Sequence, residues 1–152
     1  MAPFSDPPAS QEGTGDNQSA APRPPGKPWI LLLEDNPDQA DPLAAILRLS
    51  GYQCHVAYTK DEAHALLAQA EPTYALMIAD VRLTRAEDIT FVTKARATPR
   101  YSALPIIVLT GMGAQEARAR AQALSVSEYL IKPTPAATLL PLIQRWIATK
   151  HP

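Results

Sequence analysis

The sequence predicts an α/β fold: five β-α units in order, a doubly wound arrangement with one five-stranded parallel sheet between two layers of helices. Three observations predict it. Short apolar runs recur between residues 29 and 131, and the strongest are continuous rather than alternating, as in strands buried on both faces. Each run is followed by a longer stretch whose apolar residues lie three and four apart, the helical period. No segment repeats at the intervals of about 20–50 residues that mark solenoids and propellers.

The elements follow in order. Trp29–Leu33 is the first apolar run and predicts a strand. Leu43, Ile46, Leu47 and Ser50 mark one helical face, and Gly51 follows as a stop. Pro42 falls inside that pattern. An interior proline costs about 3 kcal/mol or kinks the helix, so the helix is expected to begin at Pro42, with Asp41 as its cap. Gln53–Tyr58 predicts a weaker strand. Thr59-Lys60-Asp61-Glu62 has capping-box spacing ahead of the face Ala63, Leu66, Leu67 and Ala70. YALMIA at residues 74–79 is the third strand, and Ile89, Val92 and Ala95 continue as a helix. LPIIVL at 104–109 is the fourth strand, and the run 114–124 is rich in helix formers. EYLI at 128–131 is a short fifth strand. Leu139, Leu140, Ile143, Trp146 and Ile147 give the last helix, and the pattern does not decide how Pro141 fits it.

Composition divides the chain. Seven of its 16 prolines lie in residues 1–28, beside Ser, Gly, Gln and Asp, with Phe4 the sole aromatic. Such a stretch buries too little surface to offset its ordering entropy, so it is expected to be a disordered tail before a domain at 29–150. It lacks the basic and apolar blocks of a secretory signal. Residues 29–152 hold twelve acidic and twelve basic residues. A neutral domain without a basic stripe is a poor nucleic-acid binder. No apolar run approaches the roughly 20 residues that span a bilayer. The single cysteine, Cys54, excludes an internal disulfide, suits a cytoplasmic protein and is read as a small buried strand residue. His55, His64 and His151 show no metal-ligand spacing.

In an open parallel sheet, ligands bind beyond the carboxyl ends of the strands. The first strand ends in Glu34-Asp35, the third in Asp80, the fourth in Thr110-Gly111 and the fifth in Lys132-Pro133. Three carboxylates on one rim repel each other unless a cation intervenes. Mg²⁺ favours a few carboxylates together with waters and a phosphoryl oxygen. A lysine beside such a site can stabilise a phosphoryl group transferred onto an Asp oxygen, and Thr110 can hydrogen-bond that group. Each residue alone has an ordinary explanation. Acids favour helix N-termini, Asp80 suits a turn, Lys132 a solvated surface and Thr110 a strand. Their joint placement at successive strand ends is what points to phosphoryl chemistry.

These residues resemble the receiver domain of two-component response regulators. Asp35 to Asp80 is 45 residues, Asp80 to Thr110 is 30 and Thr110 to Lys132 is 22. The matching motifs are LLLEDNP, IADVRL, IIVLTG and YLIKP, and the resemblance runs from Trp29 to about Lys150. It implies a flavodoxin-like strand order 2-1-3-4-5. It implies Asp80 as the phosphoacceptor, charged by a sensor histidine kinase or a phosphotransfer protein. Glu34, Asp35, Asp80 and the backbone carbonyl of Arg82 would hold Mg²⁺. Lys132, Thr110 and Gly111 would contact the phosphoryl group, and Thr110 with Tyr129 would form the switch pair. The Lys132–Pro133 bond would be cis. The fourth helix, fifth strand and fifth helix would form the face read by partners: an unnamed protein target, or a second copy in a homodimer.

The sequence also departs from the family. Many receivers carry a proline four residues after the acceptor and a glycine eight after it; here Thr84 and Asp88 stand there. The loop is therefore expected to be less preset. Arg82 and Met112 flank the pocket where the family tunes access of water, so a long-lived phosphorylated form is expected. A receiver with no output domain would act through proteins and would not be an enzyme on external substrates. The altered loop motivates one alternative, a pseudo-receiver that binds partners without taking phosphate. A hydrolase would want a second acid two residues after Asp80, where Arg82 stands. A flavin site would want a phosphate-cradling loop.

Overall fold

The computed structural model describes residues 26–111 and 113–150, and for Lys150 the backbone alone. The proline-rich stretch up to residue 25, Met112 and His151 lie outside the described residues. Five strands form one parallel sheet in the order β2-β1-β3-β4-β5. They are β1 (Trp29–Leu33), β2 (Gln53–Ala57), β3 (Tyr74–Ala79), β4 (Ile106–Thr110) and β5 (Glu128–Ile131). Among the described residues the helices are α1 (Pro37–Leu49), α2 (Lys60–Ala68), α3 (Ala86–Ala97), α4 (Gln115–Ala123) and α5 (Ala136–Lys150), with a 3₁₀ turn at Pro99–Tyr101.

The continuous apolarity of the central strands follows from burial on two faces. Leu31 and Leu33 of β1 pack with Ala63 and Leu67 of α2, Phe91 and Val92 of α3, and Ala117 of α4. Ile30 and Leu32 point the other way, into Ala40, Ala44 and Leu47 of α1 and Leu139 and Ile143 of α5. Alternate residues of one strand thus serve two cores, so neither set can be polar.

The capping signal at α2 is realised. Thr59 Oγ1 accepts from the Glu62 N–H at 3.0 Å, and Glu62 Oε1 reaches back to the Tyr58 N–H at 2.7 Å. Gly51 ends α1 at φ +101°, a conformation that favours glycine.

The expected start of α1 is corrected. The helix begins at Pro37, and its cap is Asn36, whose Oδ1 accepts from the Asp38 N–H at 2.9 Å. Pro37 occupies the first turn, where a missing N–H costs nothing. Pro42 lies inside the helix, and Asp41 instead accepts a hydrogen bond from the Tyr58 hydroxyl at 2.7 Å. Pro141 likewise lies inside α5.

Candidate functional site

Strand order brings the acids together. β1 and β3 are neighbours, with Leu33 opposite Ala79, so the residues that follow them leave the sheet side by side. The ladder runs one step beyond each strand before the side chains take over. Glu34 N–H donates to Ala57 O at 3.0 Å, Asp80 N–H to Leu33 O at 2.9 Å and Lys132 N–H to Thr110 O at 2.7 Å. The backbone that carries these side chains is therefore fixed by the sheet itself.

Glu34, Asp35 and Asp80 each offer an oxygen, all within 4.8 Å of one another. Their exposure is graded: Glu34 is buried, Asp80 partly so and Asp35 exposed. Lys132 Nζ reaches Glu34 Oε1 at 2.7 Å, Asp80 Oδ2 at 3.2 Å and Gln39 Oε1 at 2.7 Å. Glu34 Oε2 accepts from the Asn36 N–H at 3.1 Å. Burial pushes the Glu34 carboxyl up and Asp80 adds to this, while the hydrogen bonds from Lys132 and Asn36 pull it back. Burial works against the Lys132 ammonium, but its hydrogen bond to Glu34 and the charge of Asp80 outweigh it and raise its pKa. The pair is thus a buried acid short of compensation, held by a lysine that stays protonated.

A polar cavity of about 380 Å³ opens at this rim, lined by Asp35, Asp80, Gly111 and Lys132, among others. Liquid water occupies about 30 Å³ per molecule, so there is room for a phosphoryl group and a hydrated ion. Three carboxylate oxygens from neighbouring strand ends form a hard, oxygen-only donor set, which fits a divalent cation such as Mg²⁺. No histidine joins this cluster among the described residues.

The loop after β3 is held by hydrogen bonds rather than by a proline or a glycine. Arg82 O accepts from the Arg85 N–H at 3.0 Å, and the Arg82 N–H donates to Asp88 Oδ2 at 2.7 Å. Asp88 is buried at 3% exposure, with Lys60 Nζ 3.0 Å from its Oδ1. Asp88 and Gln39 are the two site residues that sequence reasoning missed. An acid in the first turn of α3 was the available signal for Asp88; for Gln39 there was none.

Thr110 is buried at the end of β4, opposite Ile131, and Tyr129 lies opposite Val108. Positions two apart share a face, so Thr110 and Tyr129 lie on the same side of the sheet. The Arg118 guanidinium sits 5.1 Å from the centroid of the Tyr129 ring. A Cβ at Gly111 would meet nothing within 4 Å, so space alone does not demand a glycine there. The Lys132–Pro133 bond is cis, and so is Glu71–Pro72. On the face formed by α4, β5 and α5, Glu128 Oε2 accepts from Arg145 Nη2 and Trp146 Nε1, each at 2.8 Å, and Ile131 is 41% exposed.

No helix among the described residues is long and apolar enough to cross a membrane. A protein of unassigned role from Leptolyngbya boryana is 31% identical over 117 residues, which cover 77% of this chain and 88% of that one. The response regulator protein FleR of Pseudomonas aeruginosa is 32% identical over 116 residues, 76% of this chain but only 24% of FleR. Among solved structures, the non-phosphorylated HemR receiver domain of Leptospira biflexa superposes with a TM-score of 0.72 at 26% identity. That match covers 83% of this chain and 98% of the HemR domain. The family model for the response regulator receiver domain matches residues 30–144. With its flavodoxin-like sheet and its acids and lysine at the strand ends, the chain belongs to the receiver-domain family of response regulators.

Proposed function

We propose that the chain is a phosphorylatable receiver of two-component signalling, with Asp80 as the acceptor. The observation that carries this is the convergence of Glu34, Asp35 and Asp80 with Lys132 at one rim of the sheet, where Asp35, Asp80 and Lys132 line a polar cavity. An Asp80 carboxylate oxygen attacks phosphorus of a phosphohistidine on a sensor kinase or phosphotransfer protein. The new P–O bond forms as the P–N bond breaks, and the imidazole leaves with the electron pair and takes up a proton. Bound Mg²⁺, held by Glu34, Asp35, Asp80 and the Arg82 carbonyl, would supply charge neutralisation at the phosphoryl oxygens.

This chain's own groups do the rest. Lys132 is already within reach of Asp80 and can follow the phosphoryl oxygens. Thr110, buried at the end of β4, offers a hydroxyl, and Gly111 a backbone N–H. The Tyr129 ring then moves inward, and the face of α4, β5 and α5 presents the changed surface to a protein target or a second copy. The chain acts through cytoplasmic protein partners, not as an enzyme on external substrates and not on nucleic acid. Arg82 lines the cavity and shields the acyl phosphate from water, so the phosphorylated form lasts well beyond seconds.

The test is phosphorylation by acetyl phosphate, with and without Mg²⁺, read by intact mass beside Asp80→Asn. The expected result is one added phosphoryl mass that requires Mg²⁺ and vanishes in the variant. A folded wild type that gains no mass and binds no Mg²⁺ would overturn the reading and leave a partner-binding module.

A further inference from the structure

The Arg82 carbonyl completes the proposed metal set, so whatever fixes the Arg82 backbone bears on the site. Two peptide planes meet at Arg82. The one after it is pinned by the Arg85 N–H on Arg82 O at 3.0 Å. The one before it is pinned by Asp88 Oδ2, which accepts the Arg82 N–H at 2.7 Å. Asp88 is itself held. It lies in the first turn of α3 at 3% exposure, and Lys60 Nζ, on the first residue of α2, is 3.0 Å from its Oδ1. That contact is off the line of a hydrogen bond, so it is an ion pair only. A carboxylate buried this deeply is costly unless a charge and a donor compensate it, and here one of each does.

Asp88 is not one of the clustered ligand acids, yet it lines the same cavity as Asp35 and Asp80. We propose that Asp88, anchored by Lys60, is a positioning residue for the metal and phosphoryl site, fixing the Arg82 backbone and with it the carbonyl that would ligate Mg²⁺. This rests on the receiver reading above. The side chain does here what a proline and a glycine in the loop would otherwise do: it removes the alternatives open to the Arg82 backbone. Lys60 extends the support to the N-terminus of α2.

The test uses the full chain and four variants: Asp88→Ala, Asp88→Asn, Asp88→Glu and Lys60→Met. Mg²⁺ affinity is measured by calorimetry, the rate with acetyl phosphate by intact mass, and folding by circular dichroism in chelator. Asp88→Ala is expected to weaken Mg²⁺ binding about 10- to 100-fold, the usual cost of losing an outer partner of a metal ligand. Asp88→Asn keeps an oxygen at the same place for the Arg82 N–H and should recover most of that loss. Asp88→Glu keeps the charge but moves it, and should not. Lys60→Met should fall between wild type and Asp88→Ala. Should Asp88→Ala not fold, the contrast between Asn and Glu decides the matter. Folded Ala and Glu variants that bind Mg²⁺ like wild type would overturn the proposal, as would an Asn variant as weak as the Glu variant. A wild type that neither binds Mg²⁺ nor takes a phosphoryl group would instead sink the receiver reading beneath it.

Discussion

Lys132 Nζ lies 2.7 Å from Glu34 Oε1, although the two residues stand 98 positions apart in the chain. The lysine occupies the acids that a cation would share, so it is both their counterion and the proposed phosphoryl contact. Removing one partner of a buried pair costs about 3–5 kcal/mol. Lys132 is a quarter exposed, so solvent screening reduces this to about 1–3 kcal/mol. Lys132→Ala is expected to lower stability by that amount in chelator, by urea unfolding. Mg²⁺ should stabilise the variant more than wild type, because stabilisation by a ligand at free concentration L grows as RT ln(1 + L/Kd) and acids freed of their lysine bind the cation more tightly. Equal Mg²⁺ stabilisation of both proteins would contradict this shared-counterion account.

The Arg118–Tyr129 contact gives a second prediction. Arg118 is exposed, and an exposed cation over an aromatic ring is worth about 0.5–1 kcal/mol. If Tyr129 turns inward on phosphorylation, Arg118 holds the resting position and opposes the switch. Arg118→Ala should shift the inward population by about two- to fivefold, the factor that energy represents. Fluorine NMR of a labelled Tyr129, before and after acetyl phosphate, measures it. An unchanged population in the variant would remove Arg118 from the switch.

Arg96 is a structural cation with several carbonyl partners. It donates to Leu104 O at 2.6 Å, Ser125 O at 2.8 Å and Leu124 O at 3.2 Å. It ties α3 to the entry of β4 and to the turn after α4, where Ser125 has φ +58°. Burial depresses its pKa, and the backbone carbonyls that accept from it carry the compensation. Arg96→Ala should cost about 2–4 kcal/mol in urea unfolding with an unchanged slope. Arg96→Lys should recover less than half, because an ammonium cannot span the same fork.

The central architecture was legible because two-sided burial leaves a strong mark: ILLL, ALMIA and IIVL admit few readings. The strand-end residues were legible because each follows its strand directly, and strand order alone then brings them together. What escaped depends on contacts between distant positions. Asp88 reads as a missing glycine until the Arg82 N–H is seen on its carboxylate. Gln39 reads as a solvated helix residue until Lys132, 93 positions away, is found on its side-chain oxygen. The expected start of α1 fell too late because the cost of an interior Pro42 argued for beginning the helix there, whereas the helix starts at Pro37 and carries that proline inside it.

Pro42 supplies the last prediction, and it runs against the usual direction of substitutions in a helix. The proline is the sixth residue of α1, past the turn in which its missing N–H would cost nothing. An N–H here would bond the Asp38 carbonyl one turn earlier, a bond the helix now lacks. A fully interior proline costs about 3 kcal/mol. Against this, proline stiffens the unfolded chain, which is worth about 0.4–1 kcal/mol and is lost on replacement. The ring also lines the groove shared with Ile46 and Pro133, so some contact disappears. The balance favours alanine by about 1 kcal/mol. Pro42→Ala should therefore raise the urea midpoint, with Mg²⁺ affinity unchanged because the acids are fixed by the sheet rather than by this turn. A lower midpoint would mean that the ring's packing in the α1–α5 groove outweighs the missing hydrogen bond.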